Sequence, residues 1–169
     1  MNTVVCVNTY SHSVTYVSDN ILRTLEDIVR LSGLSPEKVN SSWASINLAL
    51  QTWLGSHHLE KVVLEVYKPS AGTLVIRWDL EIEYGWSEDG DGRFWVDSDQ
   101  IKTAINKAGL WPSDCLYDVI MVNKPGRPDV PDWGPCSLRS REGFIKQSLG
   151  TTVEHCGLGA ACSYYRRRS

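Results

Sequence analysis

The stretch IRWDLEIEY, residues 76–84, alternates between apolar and charged side chains along its whole length. This period of two is typical of a β-strand whose two faces meet different environments. The apolar face carries Ile76, Trp78, Leu80, Ile82 and Tyr84. The other face carries Arg77, Asp79, Glu81 and Glu83. We therefore predict an antiparallel strand with one buried face and one acidic face in contact with water.

A second strand precedes this one along the chain. Residues 62–67, VVLEVY, alternate in the same manner, with Val62, Leu64 and Val66 on one side. The segment PSAG at residues 69–72 contains the residue types of a tight turn. The two strands are therefore expected to form a long β-hairpin.

Two helices are predicted before the hairpin. The first carries a stripe at spacings of three and four, formed by Val14, Val17, Ile21, Leu25, Ile28 and Ser32. Gly33 supplies the left-handed residue that commonly ends a helix. A second helix starts at Ser35-Pro36-Glu37, because serine caps a helix and proline suits its first turn. Its stripe consists of Val39, Trp43, Ile46, Leu50 and Trp53, and Gly55 ends it.

The pattern after the hairpin predicts one more helix and one more strand. An aspartate or serine at 97–99 can cap a short helix that carries Ile101, Ala104, Ile105 and Ala108 and ends at Gly109. A strand then covers Leu116 to Val122. The order of elements indicates an α+β fold, with about three helices on one face of an antiparallel sheet.

The segment KPGRPDVPDWGPC, residues 124–136, holds four of the seven prolines of the chain. Proline removes a backbone donor and fixes φ, so this segment resists incorporation into a sheet and stays extended. Trp133 joins no apolar stripe there, and it is either an anchor for the tail or incidentally exposed. The following SLGTTVE, residues 148–154, favours a strand, so the tail is predicted to be structured.

Charge and composition exclude some classes of protein. Residues 1–122 have a net charge of −7 and residues 123–169 one of +4, which suggests that the basic tail folds back onto the acidic body. The alternative is that Arg166, Arg167 and Arg168 form a solvated end or touch nucleic acid non-specifically. No membrane span and no secretory signal are recognisable, so the cytoplasm is the expected compartment.

The candidate chemical sites are weak. Asp89, Asp91, Asp97 and Asp99 suggest a calcium loop, but Phe94 and Gln100 occupy the positions of its central glycine and final glutamate. His155, Cys136, Cys156 and Cys162 suggest zinc, but no CxxC or HxxxH pair is present. The sequence also lacks a nucleophile elbow and a phosphate-binding glycine loop. We therefore expect no catalysis, no metal and no cofactor.

Several segments, in this order, resemble bacterial HORMA domain proteins of family 1, the peptide-sensing partners of CD-NTases in CBASS antiphage operons. They are TYSHSVTYVSDNILRTLEDI at 9–28, WDLEIEYGW at 78–86 followed by GDGRFW at 90–95, KPGRPDV at 124–130 and KQSLGTTVEHCGL at 146–158. The likeness extends over essentially the whole chain.

The resemblance implies one HORMA domain over residues 1–169. It would consist of a mobile N-terminal segment (1–10), a core (11–122) and a C-terminal safety belt (123–169). The belt has an open arrangement and a closed one, in which it wraps a partner peptide that adds to an edge strand. Residues 124–136 would make the first crossing, and 149–156 would pair with the other side of the sheet.

The resemblance also assigns residues to these roles. The peptide would contact Tyr117, Asp118, Val119, Ile120, Met121 and Val122 on the edge strand. It would contact Pro125, Arg127, Pro128, Val130 and Trp133 in the belt. The belt strand would include Leu149, Thr151, Val153 and His155.

Three partners follow from the same resemblance: a closure-motif peptide, a CD-NTase that the closed form binds and activates, and an AAA+ ATPase that reopens the domain. The ATPase would engage the N-terminus at Asn2, Val4, Val5 and Val7. No direct membrane contact and no nucleic acid are required. Two alternatives stay open: a constitutive structural subunit with a single conformation, and a small hydrolase that depends on His12, His155 or Cys156.

Overall fold

The alternating stretch 76–84 lies in the middle of an antiparallel sheet, as its pattern predicts. The structure is a computed structural model that describes residues 10–87, 94–109 and 114–167. Its helices are α1 (Tyr10–Leu31), α2 (Glu37–Ser41), α3 (Trp43–Gly55) and α4 (Ser98–Ala108). Its strands are β1 (Leu59–Lys68), β2 (Thr73–Tyr84), β3 (Phe94–Val96), β4 (Leu116–Asn123), β5 (Phe144–His155) and β6 (Leu158–Arg167). The described strands form one sheet in the order β3-β5-β6-β2-β1-β4.

The helices lie on one face of this sheet and form the core with it. The stripe of α1 is buried, with Val17, Ile21 and Leu22 fully inaccessible to solvent. Helix α1 packs against α3, α4, β5 and β6. The predicted α+β class is thereby confirmed. No helix of the described ranges is long and apolar enough to cross a membrane.

The second predicted helix is in fact two, with a break at Ser42 between α2 and α3. The hydroxyl of Ser41 donates to the carbonyl of Lys38, and such side-chain bonds compete with the backbone ladder of a helix. The apolar stripe continues across the break, which is why periodicity alone predicts one element. The third predicted helix is confirmed as α4: Asp97 accepts a hydrogen bond from the backbone N–H of Gln100, and Gly109 follows the last turn at φ 86°.

The predicted water-exposed face of the hairpin is wrong for its central part. On this face, which we call the back face, Glu65 and Asp79 are completely buried and Arg77 is 2% exposed. Arg77 donates to both carboxylate oxygens of Asp79, over 2.7 and 2.8 Å. The charges are compatible with burial because they are paired and covered by a later segment of the chain. Of the charged residues predicted on this face of β2, Glu81 and Glu83, near the end of the strand, are exposed as predicted.

The two sides of the sheet end differently. On one side β4 is the last of the described strands and pairs with β1. On the other side β6 pairs with β2, and β5 lies outside β6. Residues 149–156, expected to pair with the core sheet, are therefore one strand further out, and 158–167 make that direct contact. The sequence predicts a strand at 148–154 but none at 158–167, so the strand that contacts the core sheet was missed.

Candidate functional site

A segment of irregular structure, residues 124–143, connects β4 to β5, and we call it the strap. Its first half lies against the helices. The backbone N–H of Lys124 donates to the carbonyl of His58 over 2.7 Å. The indole N–H of Trp53 donates to the carbonyl of Pro128 over 2.7 Å, and Val130 is buried in the core.

Trp133 anchors the strap on α3, so the first of its two predicted alternatives holds. Its ring meets that of Trp53 edge to face, with centroids 5.8 Å apart. Its indole N–H donates to the carbonyl and the hydroxyl of Ser45, over 3.3 and 3.2 Å. Asp132, at φ 72°, forms the turn before it, a conformation that aspartate tolerates better than most residues.

The second half of the strap lies on the back face of the sheet. The backbone N–H and the guanidinium of Arg139 donate to the two carboxylate oxygens of Glu65, each over 2.9 Å. The guanidinium also donates to Asp118 over 3.1 Å and lies 3.6 Å from the ring centroid of Tyr67. Further along, the guanidinium of Arg141 lies 4.8 Å from the ring of Tyr165. The strap therefore passes from the helix face to the back face around the free edge of β4.

This course leaves a cavity of about 890 Å³ between the edge of β4, helices α2 and α3, and the strap. We call it the groove. Its apolar lining includes Val39, Ile46, Trp53, Val119, Ile120, Met121, Trp133 and Leu138. Its volume lies in the range of pockets that bind ligands, about 300–1,000 Å³.

The backbone of β4 offers unpaired groups to this groove. The ammonium of Lys38 donates to the carbonyl of Tyr117 over 2.7 Å, so this carbonyl points away from β1. Backbone groups of an antiparallel strand point alternately to its two sides, and those of Val119 and Met121 therefore point the same way. An edge of this kind is a template for another extended chain.

Charged side chains connect the groove to the strap. Lys38 also pairs with Asp118 over 2.9 Å, and Asp118 in turn pairs with Arg139. Partial burial acts to raise the pKa of Asp118, but the hydrogen bonds and charges of Lys38 and Arg139 outweigh it and hold that pKa below its ordinary value. Burial likewise acts to lower the pKa of Arg139, and Asp118 and Glu65 outweigh it and raise that pKa.

The structure brings most of the predicted peptide-binding residues together. Residues 117–121, Arg127 and Trp133 line the groove, and Val122 and Pro125 line a smaller adjoining cavity. Pro128 and Val130 instead fix the strap to α3 and the core. Leu149, Thr151, Val153 and His155 all lie in β5, away from the groove.

Sequence reasoning missed the residues of α2 and α3 that form the opposite wall, and it missed Arg139. The wall residues are Lys38, Val39, Ser42, Ser45 and Ile46. Val39 and Ile46 belong to an ordinary helical stripe, so nothing in the sequence separates them from the rest of the core. Arg139 had one available signal, the charge complementarity between the basic tail and the acidic body.

The residues considered for metal or nucleophilic chemistry lie apart from the groove, except Cys136. A hydrogen bond of 2.6 Å joins Nδ1 of His155 to the hydroxyl of Ser13. The same hydroxyl accepts a second hydrogen bond from the indole N–H of Trp86. Burial and the charge of His12 lower the pKa of His155. Within the described ranges, no three metal-ligating side chains come together. Asp89, Asp91 and the predicted ATPase contacts Asn2, Val4, Val5 and Val7 lie outside these ranges.

An antiparallel sheet with helices on one face, and a C-terminal segment that encircles a free sheet edge, defines a HORMA-type domain. Solved structures with the same fold include a chain of the mitotic checkpoint complex, at 15% identity, TM-score 0.72 and coverage of 90% of this chain and 99% of that one. Another is C. elegans HTP-2 bound to the HIM-3 closure motif, at 10% identity, TM-score 0.71 and coverage of 96% and 93%. A third is the E. coli MS115-1 CdnC:HORMA-deltaN complex, at 9% identity, TM-score 0.62 and coverage of 99% and 94%.

The family is given by the sequence itself. The model of the family described as Bacterial HORMA domain 2 matches residues 1–168, and the chain belongs to this family. The bacterial HORMA class expected from the sequence is confirmed. The resemblance was drawn to family 1 of these proteins, whereas the family that matches is described as domain 2. A comparison with curated proteins found no match.

Proposed function

We propose that this protein is a peptide-binding conformational switch that activates a CD-NTase. In the proposed cycle, an extended closure peptide adds to the edge of β4 inside the groove, and the strap retains it there. The strap-closed domain then binds the CD-NTase and stimulates synthesis of its nucleotide second messenger. An AAA+ ATPase reopens the domain through the N-terminal segment, residues 1–10.

The observation that carries this proposal is the free edge of β4 beneath the strap. Strand alternation turns the backbone groups of Val119 and Met121 away from β1, toward a cavity that an extended chain can enter. Backbone pairing would supply affinity for such a chain, and side-chain pockets would supply specificity. The strap is held on both sides of this edge, at Trp133 and at Arg139, so opening it requires breaking both contacts.

The proposed states differ in the contacts of the strap, and a ligand shifts such an equilibrium only through its differential affinity for the two states. A peptide in the groove would contact Trp133 and the strap-facing side of β4 only while the strap is in place. It would therefore stabilise the strap-closed state.

Peptide binding can be tested without knowledge of the natural ligand. Random dodecapeptides displayed on phage would be selected on the full chain, and bound peptides measured by fluorescence anisotropy. Val119→Pro removes one outward backbone donor, which an edge strand tolerates. We expect it to abolish binding, whereas Val119→Ala retains most of it. Equal binding by both variants would contradict pairing along β4.

Activation needs a second assay. Synthesis of nucleotide product by the CD-NTase of the same genome would be measured with the chain alone and with a selected peptide. We expect stimulation that depends on the peptide. Stimulation that is independent of any peptide, with one conformation in solution, would favour a constitutive structural subunit instead.

A further inference from the structure

The pairing surface of β4 is bounded at both ends. At its start, the ammonium of Lys38 already occupies the outward carbonyl of Tyr117. At its end, the backbone N–H of Lys124 is bonded to His58 and the chain leaves the sheet. By the same alternation, the backbone groups of Val119, Met121 and Asn123 point away from β1 toward the groove. A bound strand that pairs along this edge therefore aligns residues with Val119 and Met121.

This register fixes where the side chains of a bound strand point. Residues directly opposite each other in neighbouring strands place their side chains on the same face. Val119 and Met121 lie opposite Leu64 and Val62, which belong to the core below the helices. The ligand residues aligned with Val119 and Met121 would therefore point toward α2 and α3.

Each of these two ligand positions meets a different part of the wall. Two hydrogen bonds show that helices α2 and α3 run beside β4 in the same direction. Just before α2, the carbonyl of Ser35 accepts from the hydroxyl of Tyr117, at the start of β4. Just after α3, the carbonyl of His58 accepts from the backbone N–H of Lys124, at the end of β4. The position aligned with Val119 thus lies near Val39 and Ser42, at the α2 end of the groove. The position aligned with Met121 lies toward the α3 end.

The α3 end is lined by Ile46, Trp53 and Trp133. The residue between the two aligned positions would face the back side instead. There Ile120 and Leu138 also line the cavity, and Leu138 is 36% exposed. Two positions therefore face the apolar helix wall, and the one between them faces away from it.

We propose, on the basis of the proposed peptide binding, that the groove selects an extended peptide with two large apolar side chains two positions apart. The peptide side chain aligned with Val119 occupies the end of the groove at Val39. The peptide side chain aligned with Met121 occupies the end at Trp133. Lys38 is a positioning residue that blocks pairing at Tyr117, so that pairing starts at Val119. Burial of each aliphatic side chain corresponds to roughly a ten- to hundredfold gain in affinity.

The test is a selection of random dodecapeptides, displayed on phage, on the wild-type chain and on two charge variants. Met121→Glu places a carboxylate at one position and Ser42→Glu places one at the other. Both residues are only half-buried, so we expect each variant to fold, and thermal unfolding checks this. Leu48→Glu is the matched control, because Leu48 is 51% exposed on α3 and lies outside the groove.

We expect wild-type peptides to share two large apolar residues at a spacing of two. Each groove variant should convert a different one of these two positions to lysine or arginine, and Leu48→Glu should convert neither. Lys38→Ala frees the carbonyl of Tyr117 for pairing, so it should weaken the preference for the apolar pair among the selected peptides. Peptides without the spacing, or an unchanged preference in both variants, would overturn this proposal and leave peptide binding standing. If no peptide binds at all, both proposals fail.

Discussion

Arg139 and Glu65 form a two-point contact between the strap and the centre of the sheet. The backbone N–H and the guanidinium of Arg139 each donate to Glu65 over 2.9 Å, and the Glu65 side chain is fully buried. A buried carboxylate without its partner is strongly unfavourable in free energy. The back face therefore tolerates Glu65 only as long as the strap covers it.

Replacing Arg139 should consequently destabilise the domain and release the strap. We expect Arg139→Ala to lower the free energy of unfolding by roughly 1–3 kcal/mol, as for other buried groups left unsatisfied. Urea unfolding measures the loss, and limited proteolysis within residues 124–143 measures release of the strap. Arg141→Ala is the matched control, since Arg141 is an exposed arginine over a tyrosine ring and should change stability by under about 1 kcal/mol. Equal effects of the two variants would show that Arg139 does not anchor the strap.

Trp133 should control the other attachment of the strap. Trp133→Ala removes the ring contact with Trp53 and the hydrogen bonds to Ser45. We expect faster amide hydrogen exchange in residues 124–136 and loss of peptide retention in the groove. Trp133→Phe keeps an aromatic ring but no N–H, and it should lie between the wild type and Trp133→Ala. If exchange in 124–136 is the same in all three proteins, Trp133 is only packed on the surface.

The sequence predicts the elements of this domain better than it predicts its site. The hairpin, α1, α4 and β4 follow from local periodicity and turn residues, which depend on short segments of chain. The burial of Glu65 does not, because its cover comes from Arg139 of the strap, 74 residues later in the sequence. The opposite wall of the groove is likewise invisible, since Val39 and Ile46 carry the same helical signal as any core residue.

The same limitation applies to the boundary of the safety belt. The resemblance treats residues 11–122 as the core and residues 123–169 as a separate belt. The structure places Leu158, Ala160, Cys162 and Tyr164 of β6 in the hydrophobic core beside β2. In this arrangement the segment after the strap completes the sheet, so truncation at Pro125 would remove part of the core together with the strap.

The pH dependence of stability should report the charges around Asp118. Lys38 and Arg139 lower the folded-state pKa of Asp118 below its ordinary value of 3.8, despite partial burial. The stabilisation from this carboxylate is therefore fully present above that value and is lost as the pH falls through the folded-state pKa. We expect Asp118→Asn to be less stable than the wild type at neutral pH, and the difference to shrink in acid.

Urea unfolding from about pH 7 to about pH 2 measures this difference along the relevant range. Asp129→Asn is the control, because the Asp129 side chain is fully exposed and its contact with Arg127 is 3.4 Å. A stability difference for Asp118→Asn that persists unchanged to the lowest pH would contradict the linkage.

The proposed engagement of the N-terminus by an ATPase leads to a separable prediction. The first described residue, Tyr10, is fixed by its hydroxyl, which donates to the carbonyl of Leu54 over 2.6 Å, and by ring contacts with His57 and Trp86. His57 stacks on Tyr84, and the ammonium of Lys124, at the start of the strap, lies 5.6 Å from that ring. A pull on residues 1–9 would thus act first on Tyr10 and then on contacts that reach the strap.

Deletion of residues 2–9 leaves Tyr10 and the whole groove in place, and it should preserve peptide affinity while abolishing ATP-dependent release of a labelled peptide. Tyr10→Ala keeps the segment that is pulled but removes its first point of resistance, so it should accelerate release. Fluorescence anisotropy with the AAA+ ATPase and ATP measures both effects, with a non-hydrolysable ATP analogue as the control. In the proposed mechanism the ATPase reaches Tyr10 only by pulling on residues 1–9. Undiminished release after the deletion would therefore mean that the ATPase engages another part of the chain.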